Sequence, residues 1–149
     1  MSASKLRVYH KLQIAAHRVR KAADRDLLAA TGVNTAQAAM LAVVEAEVSK
    51  NGSVTQREVA RQLGLNESAV TSMASRLKNM SLLLRAPDAD DVRAWSLRLS
   101  GEGRAARMRT EQPFRRINQI IENTLSADEI VRFADYLSRV ATAFDKGER

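Results

Sequence analysis

The chain has 149 residues, with 24 Lys plus Arg against 17 Asp plus Glu and a formal net charge of +7. It has no cysteine, which excludes disulfides, thiolate metal sites and thiol redox sensing. No apolar run reaches the roughly 18–20 residues of a membrane span, and MSASKLRVYHKLQ lacks the apolar stretch of a secretory signal, so a cytoplasmic protein is expected.

The positive charge is concentrated. Residues 1–30 carry seven bases against two acids, and residues 50–86 carry six against two. Arginine outnumbers lysine 18 to 6, which suits phosphate recognition through a planar fork of donors. Clustered bases of this kind point to nucleic acid before other partners.

In chain order, Leu12, Ala15, Ala16, Val19, Ala22 and Ala23 follow the spacing of one helix face. With no Pro or Gly before Gly32, they predict a long helix over about residues 4–30. Thr35 is the expected N-cap of a second helix through Met40, Leu41 and Val44, closed by the turn Asn51-Gly52-Ser53. Thr55 and Glu58 form a T-x-x-E capping box that opens a short helix, TQREVARQL. Gly64 breaks that helix, and Asn66 caps the next, NESAVTSMASRLKNM. Two short β-like runs follow, Leu82–Arg85 and Trp95–Leu99, joined by the polar turn Pro87–Asp91. Ser100 should cap a helix reaching about Thr124 and kinked at Pro113. Ser126 and Glu129 form a second capping box. The last helix spaces Ile130, Phe133, Leu137, Val140 and Phe144 in a heptad-like seam.

Residues 56–75 fit a helix-turn-helix: Ala60 is small where the helices cross, and Gly64 suits a positive φ in the turn. On a helical wheel Val70, Met73, Ala74 and Leu77 fall on one side of the second helix. Ser68, Thr71, Ser72, Ser75 and Asn79 fall on the other. Small hydroxyl residues let a helix sink into a major groove and bond base edges or phosphates.

The run LNESAVTSMASRLKNMSLLLRAPDADDVRAWSLRLSGEG resembles the core of MarR-type winged-helix transcriptional regulators. Leu77 and Arg85 match the link after the recognition helix, Asp91 and Arg93 match a D-x-R wing, and Leu97, Leu99, Ser100 and Gly103 match its end. Ser81 stands where that family usually has Gly, and Ser72 where a basic residue is frequent. The resemblance extends over the whole chain. It implies a mainly α fold with a small β-hairpin wing, a winged helix-turn-helix flanked by N- and C-terminal dimerisation helices. All 149 residues then form one domain, with about 1–30 and 104–149 as the dimerisation helices and about 35–103 as the winged helix-turn-helix.

It further implies a homodimeric repressor whose recognition helices enter successive major grooves of a pseudo-palindromic operator. Arg93 would enter a minor groove, held by an ion pair with Asp91. The candidate DNA contacts are Thr55, Gln56, Arg57, Ser68, Thr71, Ser72, Ser75, Arg76 and Arg93, with Asp91 as wing support. The dimer-interface candidates are Leu12, Val19, Ile130, Phe133, Leu137, Val140 and Phe144. The family often senses small aromatic or phenolic compounds, and Tyr9, His10, His17 and Met40 are candidate pocket residues from helix position.

No cofactor and no metal are expected. His10 and His17, the only histidines, lie about 10.5 Å apart along a helix at 1.5 Å rise per residue, too far to share one zinc unaided. Asp88, Asp90 and Asp91 lack the Gly and Glu of a calcium loop. There is no G-x-S-x-G, Walker loop or cysteine nucleophile, so an enzyme is not expected. Two functions fit: a ligand-responsive DNA-binding repressor, or a helical interaction module whose winged helix binds protein. Salt-dependent DNA binding separates them.

Overall fold

The computed structural model describes residues 7–145. The chain divides into two compact units, Met1–Pro113 and Phe114–Arg149. The element order is α1 (Val8–Thr31), α2 (Thr35–Asn51), β1 (Val54–Thr55), α3 (Gln56–Leu63), α4 (Glu67–Asn79), β2 (Leu83–Pro87), β3 (Trp95–Leu99), α5 (Gly101–Arg109), α6 (Glu111–Thr124) and α7 (Ala127–Asp145). The fold is the expected one, mainly helical with a small β wing. The portion of the first helix predicted over residues 4–6 lies outside the described residues.

In the first unit α2 is the central element, packed by α1, α3, α5, β1 and β3. Its Ala38, Met40, Leu41 and Val44 are buried, together with Leu27, Val33, Val59, Val70, Leu77, Leu83 and Leu97 from around it. Burying each large aliphatic side chain contributes about 1.5–3 kcal/mol, so the unit has a core of its own.

The sheet has the order β1-β3-β2, all antiparallel. Leu83 pairs with Leu99 and Arg85 with Leu97, which turns Leu83, Leu97 and Leu99 towards the core. β1 is an element that the sequence pattern does not predict. It is two residues long, and its partners are Leu97 and Ser96, distant in sequence.

Three local expectations change. Asn34, not Thr35, is the N-cap of α2: its side chain accepts from Gln37 N–H (2.8 Å), and Gln37 Oε1 accepts from Asn34 N–H (3.0 Å). Thr35 instead donates its N–H (2.7 Å) and hydroxyl to the Asp24 carboxylate on α1. These bonds hold the Asp24 carboxyl below its ordinary value, the Thr35 hydroxyl first, then the Thr35 N–H and the charge of Arg20.

The helix predicted from Ser100 to Thr124 breaks at Thr110 and not at Pro113. Pro113 sits in the first turn of α6, where its missing N–H removes no helical bond. At Thr55 only half of the capping box forms. The threonine hydroxyl accepts from Glu58 N–H (3.2 Å), while the Glu58 carboxylate turns to Arg61 and Gln62. The Ser126–Glu129 box closes in both directions.

Candidate nucleic-acid interface

The α3–α4 pair is built by its turn. Gly64 takes φ 65°, a left-handed conformation that glycine adopts without steric cost. Leu65 N–H then reaches the Ala60 carbonyl (3.0 Å), and the Asn66 side chain caps α4 by accepting from Ala69 N–H (2.8 Å). Val70, Ala74 and Leu77 face inward and are fully buried, with Met73 partly so. The outer face carries Ser68 and Ser72, both exposed, and Thr71 and Ser75, both half-buried. Within the described residues the three serine hydroxyls have no protein partner.

Thr71 differs. Its hydroxyl donates to the Glu67 carbonyl (2.9 Å) and accepts from Gln56 Nε2 (3.1 Å). Gln56 was expected on the DNA surface but is only 7% exposed. It bridges the start of α3 to α4, so it is corrected from a contact to an internal brace. Sequence patterning missed this because it depends on where α4 crosses α3. Thr55 is half-buried in β1 with its hydroxyl committed to the cap.

Arg57 is exposed and ion-paired with Glu67 (3.0 Å) at the start of α4. Arg76 is exposed in the last turn of α4. Behind them the Glu58 carboxyl is held at about 2 by Arg61 first and then Gln62. This is an exposed pair of small energetic weight.

The wing tip is organised by Asp88, within the polar turn that the sequence predicts. Asp88 Oδ2 accepts from the N–H groups of Asp90 and Asp91 (both 3.1 Å), and its Oδ1 accepts from the Ser96 hydroxyl (3.0 Å). The Pro-Asp dipeptide was the available signal, since Asp side chains bond backbone two residues on. Asp91 Oδ1 accepts from the main-chain N–H of Arg93 (3.0 Å). Asp91 therefore shapes the tip through the backbone, in place of the expected ion pair. The Arg93 side chain is exposed at the tip. Next to the tip, where Trp95 pairs with Pro87, the Arg85 guanidinium lies 4.2 Å over the Trp95 ring.

Two further motif positions acquire a reason. Ser81 adopts φ 63°, so the left-handed turn expected of Gly persists without it, and its carbonyl accepts from the Ser100 hydroxyl (2.6 Å). A Cβ on Gly103 would stand 1.9 Å from the Leu82 carbonyl oxygen, so only glycine lets α5 dock there.

The candidate effector residues do not come together. Tyr9, His10 and His17 are exposed on α1, whereas Met40 is wholly buried in the core. Met40 is corrected from pocket lining to core. A groove of about 400 Å³ lies elsewhere, lined by Val48, Leu84, Arg85, Ser96, Leu97 and Arg98 among others. Among the described residues no three His, Asp or Glu converge for a metal ion, and no single helix is long and apolar enough to cross a membrane. Leu12 and Val19 are exposed on α1. In the second unit Phe133, Leu137, Val140 and Phe144 are exposed, Ile130 is half-buried, and no residue of α7 is buried.

Comparison with known proteins agrees with this geometry. A profile of winged helix-turn-helix DNA-binding domains matches residues 46–83. The HTH-type transcriptional repressor MdtR of Bacillus subtilis (strain 168) is 38% identical over 72 residues, 48% of this chain. That match spans 44% of MdtR, less than half its length. The PcaV transcriptional regulator from Streptomyces coelicolor, solved with its natural ligand, is 30% identical with TM-score 0.72, covering 87% of this chain and 90% of PcaV. MepR of S. aureus in complex with DNA shares the fold at 20% identity and TM-score 0.83, over 91% of this chain and 96% of MepR. With a relative 30% identical over nine-tenths of its length, a wing matching the D-x-R pattern and α4 in place behind it, this chain belongs to the MarR-type winged helix-turn-helix family of DNA-binding transcriptional regulators, which are not enzymes.

Proposed function

We propose that this chain is a cytoplasmic, homodimeric repressor that binds a pseudo-palindromic operator and is released by a small aromatic or phenolic effector. The observation that carries the reading is the outer face of α4. Three uncommitted serine hydroxyls stand on a fully packed helix, beside an exposed arginine at the tip of a hydrogen-bonded wing. Ser68, Ser72 and Ser75 contact base edges or phosphates, Arg57 and Arg76 contact phosphates, and Arg93 enters a minor groove. Before Arg57 can do so, its ion pair with Glu67 must open, a small cost at an exposed site.

The rest of the domain plan follows from the uncovered helices. Leu12 and Val19 of α1 and the α7 seam are buried against a second copy, which sets two α4 helices on one face of the duplex. Tyr9, His10 and His17 remain the candidate effector residues. PcaV, solved with its natural ligand, supports a ligand-responsive member of this fold.

The test is selection from a pool of random duplexes, followed by titration of the enriched duplex at several salt concentrations and with a panel of phenolic acids. Enrichment of an inverted repeat and a steep fall of log K with log salt are expected. At least one phenolic acid should release the protein. Enrichment of no sequence would overturn sequence-specific binding. Release by none of the panel would overturn the effector class.

A further inference from the structure

We propose that Thr71 selects a thymine through contact between its own methyl and the thymine 5-methyl group, with Gln56 as the residue that positions it. The inference rests on the DNA-reading role of α4. A threonine hydroxyl has one proton to donate and two lone pairs. Here the proton goes to the Glu67 carbonyl and one lone pair takes Gln56 Nε2. Gln56 is itself buried, so this donor is not free to leave for solvent or DNA. The hydroxyl therefore has no proton for the O4 acceptor of a thymine and keeps only one accepting lone pair, so the methyl is the group of this side chain that matches a thymine edge.

The neighbours sharpen the assignment. Ser68, Ser72 and Ser75 on the same face keep free hydroxyls, so Thr71 alone has its donor spent. A serine at position 71 would make both of the same bonds. The hydroxyl network thus gives no reason for threonine, whereas the methyl does. Branching at Cβ also restricts χ1, and two hydrogen bonds fix which way the methyl points. In the major groove the thymine methyl is the one apolar mark among the base edges, and small apolar contacts read it.

The test uses the full chain and the duplex enriched from the random pool, in which each thymine is replaced in turn by deoxyuracil, removing one methyl. At one thymine per half-site the wild type should bind about fourfold more weakly, the worth of one buried methyl-sized group. Thr71→Val keeps a methyl but loses both bonds that set its direction, so its thymine-to-uracil ratio should fall between those of the wild type and Thr71→Ser. Thr71→Ser keeps the hydroxyl and should bind thymine and uracil duplexes alike. Gln56→Leu, which removes one of the two bonds that hold the Thr71 hydroxyl, should lower the thymine-to-uracil ratio without changing the response at other positions. Thermal melting of each variant checks that it is folded. A fourfold difference that survives in Thr71→Ser, or one left intact by Gln56→Leu, overturns the proposal. Uracil insensitivity in the wild type overturns it while leaving sequence-specific binding intact. Failure to enrich any duplex overturns both.

Discussion

Leu27, Leu41, Leu77 and Leu97 of the winged-helix unit are buried by their own chain, whereas Phe133, Leu137 and Val140 of α7 keep 41%, 40% and 43% of their surface exposed. The side chains are of similar kind, and only their cover differs. The first unit is complete as one molecule and needs no partner to exclude water from its core. α7 presents an apolar seam with no buried residue, and exposed seams of this kind mark interaction surfaces. In the proposed homodimer a second copy supplies the missing half. Leu12 and Val19 of α1 join that interface, so stability should rise with protein concentration, while the winged-helix core is already closed within each copy.

The largest expected effect is in the finished core. Leu77→Ala, which empties a fully buried site between α4 and its neighbours, should destabilise folding by about 2–5 kcal/mol, read by urea unfolding. Leu137→Asp removes nothing from that core. It should leave the winged-helix signal in circular dichroism but shift the sedimenting mass from near twice 16.5 kDa towards 16.5 kDa at micromolar concentration. A wild-type monomer at that concentration would break the comparison.

Arg93→Ala should leave melting unchanged, because the side chain is exposed. It should also lower the slope of log K against log salt by about 0.9 per wing. An unchanged slope would return the wing tip to a solvated turn.

A pH scan addresses the joint between α1 and α2. Asp24 has its folded value depressed by Thr35, so it stabilises the fold above its ordinary value of 3.8. That contribution is lost as pH falls through the lower folded value. Asp24→Asn should flatten the acid limb of stability below about pH 4 without altering DNA affinity at neutral pH. The smallest effect is expected from Ser81→Gly. It relieves a left-handed serine at φ 63° and should raise stability by about 0.5–1 kcal/mol, after the entropy that glycine loses is set against the relief.

Local chemistry was legible in the sequence wherever one side chain decides the outcome. Asn66, Gly64, Ser100 and the Ser126–Glu129 box stand as read, because each cap or turn is settled within three or four residues. Partners far along the chain decide the rest. Asn34 and Thr35 are both good caps, and Asp24, eleven residues back, takes the Thr35 hydroxyl. β1 exists only because Val54 and Thr55 lie beside Leu97 and Ser96.

The same division runs through the candidate site. The serine face of α4 follows from periodicity and is present. The burial of Gln56 depends on a helix crossing that no pattern encodes. Met40 misled for a related reason: α2 is apolar on most sides, so its sequence does not mark which of them faces the core.

The most direct test of the central claim is a footprint of the full chain on its enriched duplex, probed in the major groove. Two copies, each inserting one α4, should protect two major-groove patches one helical turn apart, roughly 10–10.5 base pairs, or a multiple of it. A single protected patch, or protection confined to the backbone with no major-groove signal, would contradict the account.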